Sequence, residues 1–316
     1  MNLPVKAVGI DIGGTKIAVA VVDAHGTIAA RATLATEAEQ GFPRALDRLT
    51  TAIQNMLGAS GASPADLVGL GIGCAGPVDP AAGLINNPYT LTGWDRCDIV
   101  SPLRERFGIP VWLENDADMA ALGECFCGAG RGLDPVVMLT FGTGVGGAAI
   151  LRGEIHRGAG GEHPELGHVP VDPTGPGCYC GIRGCLESLA SGAAMGKAGA
   201  DAGLGDARAV WAAARAGDKA AQRIVERAVN AAATAAWTFC HTFLPTRLVL
   251  GGGIADEHFD RFAGVIHQRL STATQFTRSG VTVNRAMLGN DAGLVGAAGV
   301  AFRRASNLAF GPRAKA

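Results

Sequence analysis

Two segments of this chain share one grammar: an apolar β-prone run, a glycine-rich turn, then a second apolar run. The first is "KAVGIDIGGTKIAVAVVDAHG", from Lys6 to Gly26, and the second is "PVVMLTFGTGVGGAAILRGEI", from Pro135 to Ile155. After each turn the residues stay apolar with no helical period. Each segment is therefore expected to be a β-hairpin rather than the strand-to-helix unit of a nucleotide-binding crossover. A chain of 316 residues that uses this device twice has room for two related lobes, each with its own core and its own phosphate-facing turn.

The rest of the chain fits an α/β alternation. Residues from about Pro43 to Leu57 carry apolar positions at helical spacing, and "LVGLGIGCAGPVD" returns to strand and ends in a Gly-Pro turn at Gly76. "PVWLENDADMAALGECFCGAG" is a strand followed by a helix that begins near an acidic cluster. From about Ala193 to Phe243 the pattern is helical, "RLVLGGGIAD" is a buried strand ending in three glycines, and "NDAGLVGAAGVAF" is a further helix.

Composition narrows the partners. A formal net charge of -1 gives no basic surface for nucleic acid or an anionic membrane. No leader precedes "VKAVGIDIGG", and no apolar run reaches the roughly 18–20 residues a transmembrane helix needs. A cytoplasmic protein is expected. Thiols stay reduced there, so the eight cysteines read as core residues and metal ligands rather than disulfides.

Several motifs carry chemistry. In "DIGGTK" the backbone of Gly13 and Gly14 can hold phosphate oxygens, Thr15 adds a hydroxyl, Lys16 adds positive charge, and Asp11 can hold Mg2+ through water. An ordinary hairpin turn accounts for the same segment equally well. "GTGVGG" has GxGxxG spacing, but its flanks are two strands, so a second phosphate turn at Gly142, Thr143 and Gly144 fits better than a dinucleotide site. Gly251, Gly252 and Gly253 would let a flat adenine or a ribose lie on the backbone. "ENDAD" places Asn115 and Asp116 just after a strand. They read either as a hydroxyl-orienting amide beside a proton acceptor, or as helix N-caps. His168, Cys178, Cys180 and Cys185 form H-x9-C-x-C-x4-C in a stretch too polar and glycine-rich for core. Three thiolates and one imidazole make a closed tetrahedral zinc site, architectural rather than catalytic.

Together, "GIDIGGTK", "GIGCAGPVD", "ENDADMAALGE", "FGTGVGG", "GGEHPELGH", "CYCGIRGCLE", "LVLGGGI" and "NDAGLVGAA" resemble, in order, the ROK family of bacterial sugar kinases and related repressors. The resemblance implies a two-lobed actin-like, hexokinase-like (ribonuclease H-like) α/β fold with a central cleft and a zinc-stapled loop. The smaller lobe would take 1–119 plus about 296–316, and the larger 120–295. It further implies ATP and Mg2+ as cofactors beside zinc, and phosphoryl transfer to a hexose or aminosugar hydroxyl, most often that on C6, with Asp116 as base. Gly76, Asn115, Glu165, His168 and Glu187 would surround the sugar, with His168 binding zinc through its other nitrogen. The loop "GEHPELGH" is longer than the commoner family form and has a fructokinase-like "HPE". Spacing to His168 assigns the sugar contact to Glu165 over Glu162. Asp118 stands where many members have Asn. Glucose is the leading substrate, with N-acetylated aminosugars, mannose and fructose behind it, and a homodimer or homotetramer is expected. The family's repressors carry a DNA-binding module before the first glycine turn. Here that turn begins at residue 11, which favours the kinase over a sugar-responsive regulator or sensor.

Overall fold

The structure, a computed structural model, describes residues 6–272 and 280–306. Among these, two compact units separate. One is drawn from residues 6–133, 152–164 and 290–306, the other from 134–151, 165–272 and 280–289.

The first unit is built on β1 (Lys6–Ile12), β2 (Lys16–Asp23), β3 (Ile28–Ala35), β4 (Leu67–Cys74) and β8 (Val111–Asn115), in the sheet order β3-β2-β1-β4-β8. β1 runs antiparallel to β2 and parallel to β4, which is parallel to β8. Short strands β5 (Val78–Asp79), β6 (Leu84–Ile85) and β7 (Cys97–Asp98) form a separate small sheet. α1 (Phe42–Ala59) buries Ala45, Leu49, Ile53, Met56 and Leu57, a stripe at helical spacing, and Pro43 stands in its first turn, where the missing N–H is tolerated. α2 (Val100–Phe107) completes that core with Val100, Leu103 and Phe107. The other face of the sheet is covered by α10 (Ala292–Ser306), which also packs on α3 (Asp116–Cys127). Small residues make these approaches possible. A methyl on Gly71 of β4 would stand 1.8 Å from the Ala297 carbonyl oxygen.

The second unit repeats the plan. β9 (Val136–Phe141) and β10 (Val145–Leu151) form the antiparallel hairpin; β12 (Arg247–Gly251) and β13 (Thr282–Arg285) follow it in parallel. (β11, Glu154–Ile155, belongs to the first unit's chain segments.) Helices α4 (Glu187–Ala190), α5 (Gly192–Asp201), α6 (Ala207–Arg215), α7 (Lys219–Phe243), α8 (Gly253–Glu257) and α9 (Phe259–Leu270) supply the rest of the core. The Ala-rich stretch is thus three successive helices, α5 to α7. Asp206 and Asp218 interrupt it as N-caps, accepting from Ala209 N at 2.9 Å and Ala221 N at 2.8 Å.

Both glycine segments are hairpins, which removes the dinucleotide fingerprint that "GTGVGG" suggests by spacing alone. Register aligns the strand ends of the first sheet: Ile12 faces Cys74, and Cys74 faces Asn115. The candidate residues therefore collect at the carboxyl ends of parallel strands, where α/β sheets bind ligands. Among the described residues no helix is long and apolar enough to cross a membrane.

Candidate active site

In the first unit the chemistry gathers where β8 becomes α3. Asn115 is the N-cap: its side-chain oxygen accepts from Ala117 N at 2.8 Å and Asp118 N at 3.4 Å. The amide nitrogen is turned toward Gly76, where an added methyl would lie 2.7 Å from Nδ2. Of the two readings the sequence left open, the cap is observed: the Asn115 oxygen is committed to it, and the amide nitrogen is left as a donor. Asp116 opens the helix, half-buried, with Oδ1 accepting from Ala117 N at 2.8 Å. Burial raises this carboxyl above its ordinary value. Asp118 adds to the rise, while the Ala117 N–H and His163 oppose it.

Asp11, near the end of β1, is pushed up to about 6, first by burial and then by Asp116, with Lys16 pulling the other way. A carboxyl raised by burial and by a neighbouring carboxylate suits a divalent cation, and Asp11 fits the part of holding one through water. The adjoining turn is closed by Gly13 N donating to Lys16 O at 2.9 Å and tied by Thr36 Oγ1 donating to Gly13 O at 2.6 Å. Gly14, Thr15 and Lys16 are exposed.

In the second unit the turn at Gly142 is closed by its N–H on Gly144 O at 2.9 Å, and it is held to the start of α5 by Gly192 N on Gly142 O at 2.8 Å and Ala193 N on Thr143 O at 3.1 Å. Glu187, on α4, reaches into this turn. Its Oε2 accepts from Val145 N at 2.9 Å and lies 2.7 Å from where a Gly144 methyl would stand. The three glycines at the end of β12 differ in role. Gly252 has φ 86° and packs against the backbone of Phe141, and Gly251 faces Met138 and Ala286. Gly253 has open space around it.

His168, Cys178, Cys180 and Cys185 offer four ligand atoms within 4.8 Å of one another. His168 Nδ1 faces Cys178 Sγ at 3.5 Å, and Cys180 Sγ is 3.3 Å from Cys185 Sγ, all three cysteines being free thiols. Burial pushes the Cys185 thiol up to about 12. Such thiols ionise at neutral pH when a cation lies among them, so this donor set fits zinc. The other ring nitrogen, Nε2, lies 3.1 Å from the hydroxyl of Tyr179, whose ring packs edge-on against the imidazole. Desolvation raises that hydroxyl well above its usual range, helped by Glu187 and Glu165. Tyr179 thus gathers with His168, Glu165 and Glu187. The only sequence signal for it was an aromatic hydroxyl between two ligand cysteines. Glu162 is occupied otherwise: its Oε2 accepts from Gly160 N at 2.9 Å, folding the side chain over its own turn.

A second group was not legible as a site. Asp118, on α3, is fully buried, and its Oδ2 accepts from Arg157 Nη2 at 2.9 Å. The same guanidinium pairs with Glu114. His163, from the "HPE" of the long loop, places Nδ1 3.1 Å from Asp118 Oδ1. The two sequence departures from the family pattern are therefore one structural feature.

The ROK family profile matches residues 7–304. A glucokinase from Thermotoga maritima is 40% identical over 190 residues, 60% of this chain and 58% of that protein, so this match spans less than two thirds of the relative's length. The crystal structure of a ROK hexokinase from Thermus thermophilus is 34% identical, with a TM-score of 0.85 over 96% of this chain and all of that one. A ROK family glucokinase from Streptomyces griseus, solved with glucose and AMPPNP, is 32% identical, with a TM-score of 0.75 over 94% of this chain and 99% of that one.

Proposed function

Because the chain belongs to the ROK family, with its two-lobed actin-like α/β fold, we propose that it is an ATP-dependent hexose kinase with Asp116 as general base. The reading is carried by the Asp116 carboxylate. Oδ1 is fixed by Ala117 N, Oδ2 has no hydrogen-bond partner among the described residues, and burial makes the group more basic than an exposed aspartate. Such a group accepts the proton of a hydroxyl as that oxygen attacks phosphorus.

The other residues orient the acceptor. Asn115 donates from the amide nitrogen that the cap leaves over, and Gly76 keeps the space beside it clear. Glu187, pinned through Oε2 and also met by the Tyr179 hydroxyl, and Glu165 would supply carboxylates that accept from ring hydroxyls. His168 turns Nδ1 to the thiols and so presents Nε2, shared with Tyr179, to the sugar. A zinc ion held by His168, Cys178, Cys180 and Cys185 would lock this loop and fix the imidazole tautomer. MgATP supplies the phosphoryl group; the turns at Gly13–Lys16 and Gly142–Gly144 would hold its phosphates, Asp11 the water shell of Mg2+, and Gly251–Gly253 the nucleoside side. Holding both reactants in line accounts for most of the rate.

Glucose, phosphorylated on C6, is the leading acceptor, supported by the glucose in the Streptomyces griseus complex; N-acetylmannosamine, N-acetylglucosamine and fructose are the alternatives. ADP release with MgATP and a panel of these sugars tests the reading. Turnover on one sugar is expected, and silence on all, from protein containing zinc, would refute it.

A further inference from the structure

The loop segment of the first unit, Arg152–Pro164, sends two side chains to the first turn of α3. Arg157 binds Asp118 and Glu114, and His163 Nδ1 lies 3.1 Å from the oxygen of Asp118 that Arg157 leaves. Asp118 is 0% exposed and the His163 side chain 12%. A fully buried Asp118 carboxylate is costly unless cations meet it. Arg157 meets Oδ2 and is shared with Glu114, which burial pushes up to about 7, and a protonated His163 would meet Oδ1. Asp116 stands two residues before Asp118, so the imidazole that balances Asp118 also acts on Asp116.

We propose that His163, clamped by Asp118, is a positioning residue for Asp116: it fixes the first turn of α3 and holds a cationic imidazole beside the base. What Asp116 does rests on the kinase reading; the clamp does not. The neighbouring charges are accounted for. Asp11 and Lys16 bear on this corner from β1 and β2, and Cys74 from β4. Arg303 and Arg304 of α10 face Glu114, with Arg303 itself paired to Glu154. Of these, His163 is the cation that opposes the rise at Asp116. The aspartate at 118 fits the same contact: an asparagine would keep its shape and lose the charge that a cationic His163 would pair with.

The test uses the full chain and two readouts. Among the seven histidines, the imidazole NMR resonance that vanishes in His163→Gln should titrate at higher pH in the unmutated protein than in the isosteric Asp118→Asn. Titration at the same pH in both would overturn the clamp. In steady-state assays on the preferred sugar, the acidic limb of the kcat profile should move to higher pH by about half a unit or more in His163→Gln. Sugar KM should stay within about twofold, and His163→Lys should return the limb toward that of the unmutated protein. An unmoved limb in His163→Gln would overturn the positioning role. No turnover by the unmutated protein on any sugar would strike the kinase reading instead, and the NMR comparison would still decide the clamp.

Discussion

Gly296 lies on α10 where that helix crosses α3, and a single methyl there should disable the protein in two measurable ways. A Cβ at this position would stand 1.7 Å from the Met119 carbonyl oxygen, 2.7 Å from the Met119 carbonyl carbon and 2.8 Å from Gly123 N. All three are backbone atoms of α3, so no side chain can swing aside. Restoring an ordinary contact of about 3.5 Å requires the helices to part by close to 2 Å, and overpacking of this kind costs about 1–3 kcal/mol or more. In a unit of this size that lowers Tm by several degrees, roughly 2–4 °C per kcal/mol. The second effect is on turnover. α3 begins at Asp116, and a misplacement on the order of 1 Å at a reacting group can cost about 10²-fold in rate. Thermal melts and steady-state ADP release on Gly296→Ala measure both, with Gly264→Ala, a site in α9 with open space around it, as the control. The control should be neutral or slightly stabilised, by up to about 1 kcal/mol, because alanine is the better helix former. If Gly296→Ala melted with its control and kept its kcat, the close α3–α10 seam and its role in placing Asp116 would both be wrong.

Gly144→Ala meets the flexible end of Glu187 instead of backbone. It should break the Val145 N–Glu187 bond, worth about 1.5–3 kcal/mol as a charge-assisted contact, lower Tm by roughly 2–4 °C per kcal/mol lost, and raise sugar KM tenfold or more. A normal KM would remove Glu187 from the sugar contacts. Cys185→Ser should lower zinc content measured by atomic emission and weaken sugar binding together; full metal with normal affinity would refute the architectural site. Asp11→Asn tests a pH window. The folded carboxyl sits at about 6 against 3.8, so its penalty is absent below about pH 3.8, accrues as pH rises, and reaches about 3 kcal/mol above pH 6. The variant should therefore melt higher than the unmutated, ligand-free protein at pH 7.5, melt with it near pH 3.5, and lose turnover. Equal melting at both pH values would refute the burial of that charge.

How much of this was legible in the sequence varies with the range of the interaction. The two hairpins, the strand-to-helix step at Asn115 and the ligand set around Cys178 each depend on residues close along the chain, and their patterns announce them. The Ala-rich stretch hid its breaks because alanine is uniform in propensity; only Asp206 and Asp218 mark them. The glycines at the end of β12 look alike in sequence, yet Gly252 owes its identity to a positive φ against Phe141 while Gly253 has open space around it, a difference set by β9 more than a hundred residues earlier. Asp118 could be placed on a helix, but its burial could not be read, because Arg157 and His163 reach it from 39 and 45 residues away (157 − 118 and 163 − 118). Tyr179 has no signature in the sequence because its hydroxyl meets His168 only when the loop folds.

The central claim is that Asp116 takes a proton from a sugar hydroxyl while the nucleotide's phosphoryl group is transferred. The most direct measurement is kcat for ADP release, on the sugar that the unmutated protein turns over, compared with Asp116→Asn, with sugar affinity measured calorimetrically on both. Asparagine keeps the shape and the helix start but cannot accept the proton. The account predicts a fall in kcat of about 10²–10⁴-fold with sugar affinity changed by less than about tenfold. An Asp116→Asn protein that turns over at the unmutated rate would contradict it.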